Sequence, residues 1–228
     1  MMSIVFLCSG GGGNLRFIAQ AIALGILHAR LTAVITDREC LANAFARENG
    51  IPTDIIDFSE AGQPGLMRLL EFHCADVVIT NVHRIIAPEV VDAFAGRLLN
   101  LHYSLLPAFG GTIGTRPVSD AIANGCTFTG VTAHLVDAGL DTGRPLVQTV
   151  ITLHDGESID SIMDVVFRAG CLTLLDALML RGSAVGDDCR ILQIHGHTII
   201  TNPTGCMDVS GLDDAAWLRI ATYSPVRI

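Results

Sequence analysis

The chain has 228 residues, half of them hydrophobic, with 14 basic against 23 acidic side chains and a formal charge of −9. That is enough apolar material for a sizeable core, and the absence of any Lys/Arg cluster argues against a nucleic-acid partner, whose affinity comes mainly from phosphate neutralisation. No apolar run reaches the ~18 residues of a membrane span, and seven scattered cysteines without a Cys-x-x-Cys pair read as free thiols of a cytoplasmic protein.

Residues 3–8 are apolar throughout, follow no basic region and run into glycines, which predicts a first core strand rather than a secretory leader. A helical pattern runs from Leu15 to about Leu27, with Phe17, Ile18, Ile22 and Ile26 on one face. Residues 31–36 form a second strand ended by Asp37, and 40–48 a helix stopped by Asn49-Gly50-Ile51-Pro52. A further helix is expected over 66–73, and strands over 76–80 and 97–102. The alternation of strand and helix argues for a doubly wound, mostly parallel, Rossmann-like α/β sheet. Later come strands over 130–136 and 146–153, a long amphipathic helix over 159–180, and a C-terminal hairpin over 191–200 centred on Gly196. The domain reading is a main domain over 1–185 and a C-terminal extension, 186–228, packed on or beside it.

Two stretches carry chemistry. Gly10-Gly11-Gly12-Gly13 closes the first strand and opens a helix, an arrangement whose free N–H groups favour a phosphate or carboxylate. It is neither a dinucleotide fingerprint, since the third glycine position is Leu15, nor a P-loop, since no Gly-Lys-Ser/Thr follows. The second stretch is Asn100-Leu101-His102, with Asp141 in Gly139-Leu140-Asp141-Thr142-Gly143. On a strand, Asn100 and His102 share a face while Leu99 and Leu101 take the other. An amide and a protonated imidazole can meet an oxyanion, and a carboxylate can take the proton of an attacking amine. These are the parts of acyl transfer without a covalent intermediate. Taken alone, Asn-x-His is common; His102 then reads as a satisfied core histidine and Asp141 as a turn residue.

The extended combination is more specific. Asn100-Leu101-His102, Ser104-Leu105-Leu106-Pro107, Gly111 and the run from His134 to Gly143 resemble the signature of formyltransferases that use 10-formyltetrahydrofolate. The resemblance is nearest to the branch that formylates glycinamide ribonucleotide in purine synthesis. It spans about residues 2–165 and includes Ser9-Gly10, Gly12-Gly13-Asn14-Leu15, Asp76-Val77-Val78 and Arg84-Ile85-Ile86. It implies Asn100, His102 and Asp141 as the catalytic set. Gly11, Gly12, Gly13 and Asn14, with Tyr103, are implied as contacts to the substrate and its phosphate. Arg84, Ile86, Val91, His134, Val136, Asp137 and Leu140 are implied as contacts to the folate co-substrate. His134 is a second histidine near the site, chemical or merely loop-ordering.

The chain departs from the family at Tyr103, where proline is usual, and by about three extra residues around Gly114, Thr115 and Arg116. It departs again at Phe167-Arg168, which stands where a substrate-binding glutamate followed by histidine is usual. An amino sugar or modified amino acid is therefore an alternative acceptor. A non-catalytic folate- or nucleotide-binding relative and a nicotinamide-dependent oxidoreductase (from the glycine run and Asp37) are the competing classes. The expected partner is a small-molecule amine, with no nucleic acid and no membrane, on a monomer or homodimer. His195-Gly196-His197 reads as a hairpin tip rather than a metal site. Asp187-Asp188 and Asp213-Asp214 read as solvated loop charges, and Trp217 and Tyr223 as core caps or dimer contacts.

Overall fold

The computed structural model describes residues 1–82, 84–181, 188–205 and 208–221. The expectations resting on Asp187, Cys206 and Tyr223 lie outside the described residues. Among them, the strands are β1 (Met2–Cys8), β2 (Ala29–Thr36), β3 (Thr53–Ile55), β4 (Val77–Asn81), β5 (Leu98–His102), β6 (Phe128–Leu135), β7 (Pro145–Thr152), β8 (Arg190–Ile194) and β9 (His197–Asn202). The helices are α1 (Gly13–Ala23), α2 (Leu41–Glu48), α3 (Gln63–Phe72), α4 (Pro88–Ala93), α5 (Arg116–Ala123), α6 (Ile159–Met179) and α7 (Asp214–Ala221). The strands lie in one mixed sheet in the order β3-β2-β1-β4-β5-β6-β7-β9-β8. None of the helices described is long and apolar enough to cross a membrane. By contacts the chain divides into two compact units: residues 1–99 with the segment from Asp208, and residues 100–207.

In the first unit the pairings β1–β2, β1–β4, β2–β3 and β4–β5 are all parallel. β1 is apolar from Ile4 to Cys8 because both its faces are covered there, as a central parallel strand requires; those residues are all buried. Helix α1 ends at Ala23, four residues before the apolar periodicity runs out. Gly25 takes φ 73°, and the Ile26 N–H reaches back to the Ala21 carbonyl at 2.9 Å. This is the six-to-one closure of a Schellman stop, which a glycine permits and a continuing apolar pattern does not cancel. Phe17 on this helix stacks on Trp217 of α7 with ring centroids 5.4 Å apart, so Trp217 caps the core. Asp213 is not a merely solvated charge: its carboxylate accepts the Ala216 N–H at 2.8 Å and caps α7.

In the second unit β6–β7, β7–β9 and β8–β9 are antiparallel. Val131, Ile151 and Ile199 pack with Ile162, Val165, Val166 and Ala169 of α6, and Leu101 and Tyr103 lie against the same cluster. A Cβ at Gly170 would come within 3.2 Å of both Leu101 and Tyr103, so glycine lets β5 seat closely on α6. The β8–β9 hairpin turns at His195 and Gly196, with φ 48° and 84°, and Ile194 pairs with His197 across it. Two successive left-handed residues make a two-residue hairpin turn whose twist matches its strands.

Candidate active site

Alternation along β5 sets the site. Leu101 and Tyr103 face α6, so Asn100 and His102 face the other way. His102 is 6 % exposed. Its Nε2 lies 3.2 Å from the Phe109 carbonyl, and its Nδ1 lies 3.4 Å from Asp141 Oδ2. Forty residues of sequence are thus closed into one contact. Asp141 sits at φ 55° in the loop after β6, its side chain 8 % exposed. The carboxylate is held by the Gly111 N–H, which donates to Oδ2 at 2.8 Å. One short bend therefore gives a carbonyl to His102 and an N–H to Asp141. Within it Phe109 takes φ 56°, a left-handed conformation costly for a non-glycine residue, and the Thr112 hydroxyl donates to its carbonyl at 2.7 Å.

The loop carrying Asp141 has little freedom. Asp137 Oδ1 accepts from the Gly139 N–H at 3.0 Å and from the Thr142 hydroxyl at 2.7 Å. A Cβ at Gly139 would sit 2.0 Å from Thr142 Oγ1, and one at Gly143 would sit 1.7 Å from the Leu135 carbonyl oxygen. Both glycines are therefore steric requirements of the loop that delivers the acid. The segment after His102 is pinned as firmly. Thr132 Oγ1 donates to the Ser104 carbonyl at 2.7 Å and accepts the Leu106 N–H at 3.1 Å, and Gln148 Nε2 donates to the Leu106 carbonyl at 3.0 Å.

His134 joins this cluster. Its Nε2 is 3.3 Å from Asn100 Nδ2 and 3.7 Å from Asp141 Oδ1, and its Nδ1 is 2.9 Å from the Leu135 carbonyl. The structure thus brings together Asn100, His102, His134 and Asp141. It also shows two groups that sequence reasoning passed over, the Phe109 carbonyl and the Gly111 N–H. Neither has a side-chain signal, although glycine at 110 and 111 marks a bend. Of the folate contacts implied by resemblance, Val136 is half-buried while Asp137 and Leu140 are exposed on the acid-bearing loop. Tyr103 turns its ring onto Gly170 of α6.

The glycine run lies in the first unit. Gly12 is the one that the backbone needs: it takes φ 70°, and a Cβ there would lie 3.1 Å from the Ala42 Cβ. Cβ atoms at Gly10 and Gly11 would meet nothing within 4 Å among the described residues, so packing does not explain their smallness. Helix α1 starts at Gly13 with no side-chain cap and no acidic residue in its first turn, which leaves backbone N–H groups and the positive end of its dipole for an anion. Asn14 is buried at the helix start. Arg84 is exposed and lowers the Asp57 pKa as a minor contributor behind the Ser59 hydrogen bonds. Ile86 and Val91 are buried, and the 85–87 segment is clamped by Gln63, which donates to the Ile85 carbonyl and accepts the Ala87 N–H.

Elsewhere, His195 Nε2 pairs with Asp164 at 3.0 Å while His197 Nε2 pairs with Glu157 at 2.9 Å. The two rings thus turn to different partners, and no group of three or more metal-ligating side chains occurs among the described residues. Arg168 pairs with Asp164 at 2.9 Å.

Comparison with known proteins places the chain in a family. The family model described as Formyl transferase matches residues 2–178. The phosphoribosylglycinamide formyltransferase of Mycobacterium tuberculosis is 39 % identical over 165 residues, covering 70 % of this chain and 75 % of that one. The Escherichia coli K12 protein of that name is 34 % identical over 171 residues, 71 % and 78 % of the two chains. Among solved structures, glycinamide ribonucleotide transformylase 1 from Symbiobacterium toebii superposes with a TM-score of 0.75 at 26 % identity, over 86 % of this chain and 92 % of that one. The Geobacillus kaustophilus protein of that name gives 0.72 at 29 % identity, over 78 % and 97 %. The chain belongs to the formyl transferase family.

Proposed function

We propose that this protein transfers the formyl group of 10-formyltetrahydrofolate to the primary amine of glycinamide ribonucleotide, in the cytoplasm. The observation that carries the reading is the convergence of Asn100, His102 and Asp141, with His102 Nδ1 3.4 Å from Asp141 Oδ2. The acceptor follows from the names of the relatives and from a glycine run suited to a phosphate.

The amine lone pair attacks the formyl carbon, and the C=O electrons move onto oxygen. The Asn100 amide donates to that oxyanion, which is the term that lowers the barrier most, and the His102 Nε2–H joins it by giving up its contact with the Phe109 carbonyl. Asp141 takes the proton from the attacking nitrogen directly or through water. The oxyanion then reforms the carbonyl, the bond to folate N10 breaks, and the proton held by Asp141 passes to N10 directly or through water, leaving tetrahydrofolate and the formylated amine. The N–H groups of Gly11, Gly12 and Gly13, with Asn14, hold the ribonucleotide phosphate. Val136, Asp137 and Leu140 contact the folate.

The test is turnover of a stable formyl-folate analogue, followed by absorbance, against a panel of glycinamide ribonucleotide, amino sugars and amino acids. The expected result is rapid turnover with glycinamide ribonucleotide and at least a hundredfold slower turnover with the rest (roughly the share of one transition-state contact). Turnover confined to another amine would replace the acceptor, and none with any amine would remove the reading.

A further inference from the structure

His134 is only 2 % exposed, and both of its ring nitrogens have neighbours. Nδ1 lies 2.9 Å from the Leu135 carbonyl, which can only accept, so Nδ1 carries a hydrogen. Burial holds the ring's pKa below its ordinary value, against the opposing pull of the Leu135 carbonyl, Asp141 and Asp137, with His102 adding to the lowering. The ring is therefore neutral near pH 7, and Nε2 presents a lone pair. Asn100 Nδ2 stands 3.3 Å from that lone pair. Turning the amide over would set its oxygen lone pairs against the Nε2 lone pair, so only one orientation of Asn100 is favourable. One Nδ2 hydrogen goes to His134, and the other keeps a fixed direction.

We propose that His134 is a positioning residue, a neutral Nδ1–H ring whose Nε2 holds the Asn100 amide so that its second N–H is presented to the formyl oxygen. The inference rests on the formyl-transfer reading above. It also gives the site an acid-sensitive hinge. A proton on Nε2 abolishes the acceptor that Asn100 needs and turns the ring towards Asp141 Oδ1, 3.7 Å away. The charged and titratable groups facing the ring are His102, Asp137 and Asp141.

The experiment is a kinetic cycle on the full chain with glycinamide ribonucleotide and the formyl-folate analogue. His134→Leu should lower kcat roughly a hundredfold, the penalty of a misplaced donor, with both KM values nearly unchanged. His134→Gln places an amide oxygen near the position of Nε2 and should restore most of the rate. In an Asn100→Ala background, His134→Leu should cost less than about threefold more, because its effect runs through Asn100. Below the His134 pKa, wild-type kcat should fall by one more power of ten per pH unit than His134→Gln. Nitrogen-15 NMR should place the ring proton on Nδ1 at pH 7. A full hundredfold loss persisting without Asn100, an unchanged acid limb in His134→Gln, or a proton on Nε2 would each overturn the proposal. If Asn100→Ala itself left turnover intact, the formyl-transfer reading would fall first and this one with it.

Discussion

Asp176 on α6 offers the sharpest test of how the C-terminal hairpin is held. It is fully buried, and its carboxylate accepts hydrogen bonds from Arg190, Thr204 and Gly205. Arg190 Nη1 and Nη2 lie 3.1 and 2.6 Å from its two oxygens, and Thr204 Oγ1 and the Gly205 N–H both lie 2.9 Å from Oδ1. Arg190 opens β8 and is itself only 4 % exposed. In Asp176→Asn the side chain keeps its shape, and its oxygen still serves Thr204 and Gly205. What is lost is the counter-charge of a buried guanidinium, which now faces an amide N–H. Breaking a buried pair from one side costs about 3–5 kcal/mol. For a chain of this size each kcal/mol moves the melting temperature by about 2–4 °C, so a fall of roughly 6–20 °C is expected in circular-dichroism melts. Removing both charges while keeping that oxygen, Asp176→Asn with Arg190→Met, should recover most of the loss, since an uncharged replacement of a buried pair is often neutral or stabilising. A single substitution costing under about 1 kcal/mol, or a double variant no better than the single, would refute the reasoning.

Asn100→Ala, His102→Ala and Asp141→Ala should each lower turnover by about 10²–10⁴ while far-ultraviolet circular dichroism stays unchanged. Gly143→Ala places a Cβ 1.7 Å from the Leu135 carbonyl oxygen; the loop must shift, and kcat should drop about a hundredfold in stopped-time assays of the purified variant. In thiol titration at pH 8 the exposed Cys74 and Cys189 should react at once. Cys8 and Cys171, whose thiol pKa values burial pushes up, should react only after denaturation. Burial lowers the His134 pKa, so the unfolded chain takes up that proton first as the pH falls. Its share of stability is complete above the ordinary value of 6.5 and drains away below it, and urea midpoints should fall more steeply with acid in the wild type than in His134→Gln.

The strands and the main helices were legible because apolar periodicity is dictated by burial. Asn100 and His102 were legible because two polar residues interrupt one face of an otherwise apolar strand. Helices α4 and α5 were passed over although each carries a proline in its first turn, Pro88 and Pro117, where the missing N–H costs nothing. β3, at three residues, is too short to show a period, and α7 hid behind an aspartate pair whose first member is a cap. At the site, Asp141 was found through its loop sequence, but the tethers that aim it come from backbone. The Gly111 N–H and the Phe109 carbonyl have no one-letter code. The Asp176–Arg190 pair was invisible for a related reason: residues 14 apart, on a helix and a strand, show no spacing that marks them as partners.

The bend at 109–111 has an evolutionary corollary. Because it grips a ring with one peptide unit and an acid with another two residues on, adding or deleting a residue inside it would throw both reactive groups out of register together. Growth is tolerable downstream, where Ile113 stands in solvent ahead of α5 and Arg116 opens that helix, and neither touches either grip. Length changes in that stretch would alter the surface beside the reaction and leave the spacing that times it fixed.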